Sequence, residues 1–238
     1  MGKILVAVTA FLLYSCAEEQ KPHDYEVKYY GALKTLMMEG NLAATTSLAE
    51  YEDIENFYAL GAMEDLKGEI QIFNSKALNS VVKNDTLQID KTYTAKAALL
   101  VLARVPLWMS IPIPDSIKSH ASLEKFISQT AVRNKLDVDK PFPFLLEGKV
   151  STLKWHVLNW KDGDTIHSPQ KHKESGLQGL LKKEKVEVLG FYSNSHHRIF
   201  THHTSNVHMH FRDREDSLAG HVDELIPGEM VLKLPEAP

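Results

Sequence analysis

Apolar and polar residues alternate through Val207–Phe211 and give way to a charged, turn-like run at Asp213–Ser217, the pattern of a β-hairpin. Side chains at i and i+2 share one face of a strand, so His208 and His210 point the same way. With the turn centred near Glu215, His210 lies across from His221, and Cβ atoms opposed in this way sit roughly 4.5–5.5 Å apart. The hairpin therefore gathers three imidazoles on one face.

Other stretches predict further elements. YYGALKTLMMEG carries an amphipathic stripe and predicts a helix capped at its C-terminus by Gly40. LKGEIQIFNSKALNSV predicts a strand through Ile70, Ile72 and Phe73, entered at Gly68-Glu69. SHASLEKFISQTAVRNKL predicts a second helix, capped by Ser119 or Ser122. PFPFLLEGKVSTLKWHVLNW predicts two strands joined near Glu147-Gly148, and KVEVLGFYSN one more. With no internal repeat or low-complexity block, the fold class is α/β or α+β, with a large mixed, partly antiparallel β-sheet and a few flanking helices.

At 238 residues, 43% hydrophobic and a formal charge of −4, the chain can bury a sizeable core as one elaborated domain. No basic cluster with interleaved aromatics is present, which excludes nucleic acid as a partner, and Lys182-Lys183-Glu184-Lys185 reads as a solvated face. The apolar run Ile4–Tyr14 is too short to span a bilayer. Cys16 is the single cysteine, so no disulfide forms within the chain, and LYSC resembles a bacterial lipobox. The expected division is a signal peptide over 1–15, a tether over 16–27 with lipid on Cys16, and a metal-binding domain over 28–238. Such a chain is exported and meets the membrane through its lipid anchor alone; a plain secretory signal is the alternative.

Neutral imidazole is a common ligand for zinc and other first-row divalent metals, and three protein ligands with an open position mark a catalytic site. The plainer reading is a set of solvated histidines, because the chain has 12 histidines with runs at His196-His197 and His202-His203. His208, His210 and Glu215 also match the first half of the cupin metal motif, but the second half is missing after His221.

The helix ending in LMMEG, then ALGAMEDLKGEIQI, the Phe-rich strand with its Glu-Gly turn, VEVLGFY, and finally VHMHFRDREDSLAGHV together resemble the alpha-acetolactate decarboxylase family from about Tyr29 to about Asp223. The resemblance implies a half-barrel-like sheet, zinc or another first-row divalent metal on His208, His210 and His221, Glu69 as a carboxylate ligand and catalytic residue, and conversion of 2-acetolactate, or a related 2-hydroxy-3-keto acid, to acetoin with loss of CO2. It implies a small-molecule substrate, and a homodimer is compatible with it. Where the family has an arginine that helps to deliver the proton, alignment on Glu147-Gly148 puts Leu145, a mark of altered substrate handling. Beyond the third histidine the family supplies a further glutamate near the metal, for which Glu229 and Glu236 are the candidates.

His156, Arg198, His202, His203 and Arg212 are the replacement proton donors the sequence offers. Each has a plain alternative: surface charge for the arginines, an exposed loop for His202-His203, and a half-buried sheet position for His156. Two function classes follow: a metal-dependent carbon–carbon lyase, or a non-catalytic metal- or ligand-binding lipoprotein on the same scaffold.

Overall fold

The computed structural model describes residues 25–236. Cys16, the expected signal peptide and most of the expected tether lie outside the described residues. The first half of the described chain makes one sheet from β1 (Val27–Tyr30), β2 (Thr46–Ser47), β3 (Phe57–Met63), β4 (Glu69–Phe73), β5 (Lys76–Ala77), β6 (Asn79–Lys83), β7 (Thr86–Asp90) and β8 (Lys96–Arg104). Its spatial order is β1-β8-β3-β4-β6-β7, with β2 on β8 and β5 on β4.

The second half makes the other sheet, from β9 (Trp108–Pro112), β10 (Phe142–Val157), β11 (Leu177–Lys182), β12 (Lys185–Tyr192), β13 (Val207–Asp213) and β14 (Ala219–Pro235). These run in the order β11-β10-β12-β13-β14-β9, and β10 also pairs with β14, so β10, β12, β13 and β14 close on themselves. The strands thus divide between two mostly antiparallel sheets, with few helices.

Side-chain alternation sorts the residues of this ring between two cores. Val186, Val188 and Tyr192 of β12 and Val207, Met209 and Phe211 of β13 face inward with Phe144 and Leu146. Leu189 and Phe191 face the first sheet, where they pack with Leu60, Ala62 and Leu99. The helix α1 (His120–Arg133) covers the ring core with Leu123, Phe126, Ile127 and Ala131, an apolar face at helical spacing. Ser119 is its N-cap: its hydroxyl accepts from Ser122 N at 3.1 Å, and Ser122 Oγ accepts from Ser119 N at 3.0 Å, a reciprocal capping pair.

Two local expectations are corrected. The segment around Glu147-Gly148 is no turn between two strands but the middle of the single strand β10. The register against β14 shifts at Gly148/Val150, and there β10 leaves β12 to pair with β11. A glycine bend inside a strand allows that change of neighbour. The N-terminal amphipathic stretch forms β1 and then only a five-residue π-helical turn, Thr35–Glu39. Tyr29 and Tyr30 are claimed by pairing with Val101 and Leu100, and Gly31 at φ +75° breaks the chain direction before a longer helix can form. Gly40 does end the turn in the left-handed conformation, φ 63°. The short helix α2 (Pro169–Glu174) precedes β11.

Gly148 has φ +134°, and a Cβ there would lie 2.2 Å from the Glu229 carbonyl oxygen on β14. Gly148→Ala should therefore lower stability by about 2 kcal/mol or more, read as a lower urea midpoint.

Candidate metal centre

The register of the hairpin puts His210 of β13 opposite His221 of β14, and His208 two residues away on the same face. His208 Nε2 lies 3.2 Å from His221 Nδ1 and 3.2 Å from His210 Nε2, and His221 Nδ1 lies 3.3 Å from His210 Nε2. Three ring nitrogens thus form a nearly equilateral triangle.

The proton on His210 is located by its neighbour. His210 Nδ1 donates to Gln71 Oε1 at 3.0 Å, while Gln71 Nε2 donates to Ser80 Oγ at 2.7 Å and to the Leu78 carbonyl. Ser80 Oγ in turn donates to the Ala219 carbonyl at 2.7 Å. Because the amide orientation is set by these acceptors, His210 Nε2 in the neutral ring carries only a lone pair. At most two of the triangle's three edges can then hold a proton. A tetrahedral shell with bonds of about 2.0–2.1 Å spaces its ligands about 3.3–3.4 Å apart, so the triangle fits a metal ion.

Electrostatics favour the ligating forms. Burial pulls the His208 imidazole down to about 4, opposed by the Phe200 carbonyl. Burial first, then the neighbouring rings, holds His210 and His221 well below the usual histidine range. All three imidazoles are therefore neutral at neutral pH.

The carboxylate arrives from the other sheet. Glu69 begins β4 and is buried, with Oε2 3.7 Å from His210 Nε2. Alternation along β4 aims Glu69 and Gln71 at the histidines and turns Ile70 and Ile72 to the opposite core. Glu69 Oε1 has no hydrogen-bond partner, a buried vacancy that costs about 1–3 kcal/mol. Burial, helped by the charge of Asp223 and opposed by a bond from the Leu158 backbone, raises the Glu69 carboxyl well above its usual range. A cation beside it would reverse that shift and satisfy the orphaned oxygen.

His156 completes the row. It lies opposite His221 in the β10–β14 register, with Nε2 3.9 Å from Glu69 Oε1. Its Nδ1 donates to Asp223 Oδ1 at 3.1 Å, and Lys173 Nζ stands 2.9 Å from Asp223 Oδ2. His156, His221 and Asp223 also converge as a second potential ligand group, but the ammonium of Lys173 already supplies its positive charge.

Glu69, His156, Lys173, His208, His221 and Asp223 border one cavity of about 890 Å³, whereas His210 and Gln71 lie behind it. Arg198, His202 and His203 are on its wall, exposed to solvent. Arg212 is elsewhere, bound to Glu187 and to Asp216 and lying 5.3 Å from the Phe73 ring centroid. Glu229 and Glu236 are exposed and do not line the cavity. Two participants escaped the sequence reading. Gln71 follows Glu69 at i+2 and Asp223 follows His221 at i+2, so strand alternation was the signal that could have found both.

Leu145 is also off the cavity. It is buried against Leu189 in the apolar core between the sheets, so a role in substrate handling is not its place in this fold. Leu145→Arg would bury an unpaired guanidinium and should cost about 3–5 kcal/mol, measured by urea denaturation, without adding a substrate contact.

No family model matches the chain, and no curated protein matches it. Solved structures do. A Staphylococcus aureus protein of unknown function, described as similar to alpha-acetolactate decarboxylase, superposes with TM-score 0.68 at 15% identity, covering 87% of this chain and 84% of that one. Alpha-acetolactate decarboxylase from Bacillus subtilis strain 168 gives TM-score 0.67 at 13% identity, covering 87% and 83%. The enzyme from Bacillus subtilis subspecies spizizenii gives 0.68 at 12%, covering 88% and 85%. At these identities the likeness is one of fold: this chain has the architecture of acetolactate decarboxylase.

Proposed function

We propose that the chain is a metal-dependent carboxy-lyase that decarboxylates 2-acetolactate, or a related 2-hydroxy-3-keto acid, to acetoin or its homologue. The observation that carries this reading is the triangle of three ring nitrogens with 3.2–3.3 Å edges beside the unpaired Glu69 oxygen. His208, His210 and His221 would hold the ion with Glu69 as carboxylate partner, and a nitrogen-rich set at tetrahedral spacing suits zinc. When bound, the ion supplies Lewis acidity toward the electron pair that the departing CO2 leaves behind.

The chain's own residues then have separable tasks. Breaking the bond between C1 and C2 releases CO2 and leaves an enediolate, and C2 must take up one proton to give the hydroxyketone. Among the replacement donors, His156 is the one held at Glu69, and its bond to Asp223 keeps its Nδ1 proton in place with Nε2 toward the carboxyl. We assign proton delivery to His156: with Nδ1 bonded to Asp223, the doubly protonated ring would present its Nε2 proton to C2, and Glu69 would stay the carboxylate partner of the ion. The apolar side chains around it, Leu158, Phe200 and Ala62, limit access of water, which strengthens electrostatic stabilisation.

Elemental analysis and CO2 release from 2-acetolactate test the reading together. Wild type should hold about one zinc per chain, and His210→Ala should lose both the metal and at least about a hundredfold in turnover. Equal metal in the two proteins, or full turnover after chelation, would sink the proposal. Metal retained without turnover of any 2-hydroxy-3-keto acid would instead favour the non-catalytic binding protein.

We further propose that the protein is exported and carries lipid on Cys16, supported by LYSC after the apolar run Ile4–Tyr14. Mass spectrometry of membrane fractions should find a lipidated N-terminal Cys16; an intact Met1 would exclude it.

A further inference from the structure

The cavity lining combines two chemistries. Glu69, His156, His208, His221 and Asp223 supply polar groups, whereas Leu33, Met37, Met38, Leu99 and Phe200 supply apolar surface, with the exposed Lys34 and Arg198 also on the wall. Pockets of about 300–1,000 Å³ hold drug-sized ligands, and an acid of about nine non-hydrogen atoms such as 2-acetolactate fills only a small part of such a space. At about 890 Å³ this cavity is far larger than its chelating end requires.

Part of the apolar lining is also fixed in place by backbone bonds. Leu33 N donates to Ile199 O and Lys34 N donates to Arg198 O, both at 2.8 Å, which fastens the turn Thr35–Glu39 to the loop that carries Phe200. The same loop is held at its far end by Glu124 of α1, whose carboxylate accepts from Asn206 N, Asn206 Nδ2 and Ser205 Oγ at 2.8–3.1 Å. A wall held this way needs little ordering when an apolar group settles on it. Its outer edge is unusually bare for side chains of its kind: Met38 is 68% exposed, and Ile166, next to the cavity residue His167, is 72% exposed. His167 Nε2 comes within 3.3 Å of where a Cβ on Gly40 would sit, so the end of the Thr35–Glu39 turn lies against His167.

We propose that the substrate is a 2-hydroxy-3-keto acid bearing an extended apolar chain of several carbons, laid along Leu33, Met37, Leu99 and Phe200 toward Met38. The proposal rests on the chelating reading of the histidine site and narrows it. Met37 and Met38 are the specificity-determining residues, since thioether side chains adapt to the shape of an alkyl chain. Neither belongs to the groups assigned to metal or proton chemistry.

Alkyl hydroxamic acids from acetyl to octanoyl, titrated calorimetrically into the zinc-loaded full chain, test this without relying on turnover. Each added methylene should tighten binding roughly fourfold over the first few, from about 0.8 kcal/mol per buried CH2. A Met37→Ala/Met38→Ala variant should bind acetohydroxamic acid as wild type does and bind octanohydroxamic acid about tenfold more weakly. Because the two side chains lie on a surface turn, an unchanged acetohydroxamic acid affinity also reports that the variant is folded. Zinc-dependent binding with no length dependence, or a length dependence untouched in the variant, overturns the extended-substrate proposal and leaves the chelating site standing. Absence of zinc-dependent binding by every member overturns both.

Discussion

The hydrogen bond from His210 to Gln71 is the contact on which the site depends, because it joins the two sheets at the point where their polar residues meet. Through Gln71 and Ser80 it runs on to the Ala219 carbonyl at the start of β14. The chain of bonds therefore leaves the second sheet at β13, crosses β4 and β6, and returns to the same hairpin. Every member has a partner, which is the condition under which a buried polar network rigidifies a core instead of weakening it. Its outcome is chemical as well as mechanical: the ring orientation and tautomer of His210 are decided by residues that do not face the cavity.

The surrounding apolar packing makes that polar seam tolerable. Leu189, Phe191 and Leu145 lie on the same face as the histidines and pack against Leu60, Ala62 and Leu99 of the first sheet. The inner ring core with Phe144, Met209 and Phe211 lies on the other side of the same strands. Gly190 leaves room for the Phe144 ring, which would sit 2.1 Å from a Cβ at that position. Side chains alternate cleanly between these two environments along β12 and β13, so a slip of one residue would bury the histidines in the ring core and eject Met209. Register and site are set by one pattern.

Much of this was legible from residues close in sequence. The i, i+2 pair His208 and His210, its cross-strand partner His221, and the capped helix after Ser119 all follow from local periodicity, and all are found. The Gly68-Glu69 entry to a strand was equally local, though the aim of Glu69 toward the histidines depends on how the sheets stack. His156 needed the β10–β14 register, which a strand changing neighbours at Gly148 conceals. Asp223 and Gln71 were within reach of the alternation rule but carry no motif of their own. The N-terminal stretch misled because its stripe satisfies a helix or a pairing strand, and the pairing of Tyr29 and Tyr30 with β8 decided it.

The two sheets divide the chain at its middle, β1–β8 in one and β9–β14 in the other. All three triangle histidines come from the last two strands, whereas Glu69 and Gln71 come from β4, about 140 positions earlier. Contacts so distant along the chain close large loops, a feature of topologies that fold slowly. A nascent polypeptide that has emerged only as far as β12 holds no part of the triangle, and its early half exposes a carboxyl and an amide with nothing to grip. The triangle is thereby completed only when the last two strands of the fold are in place.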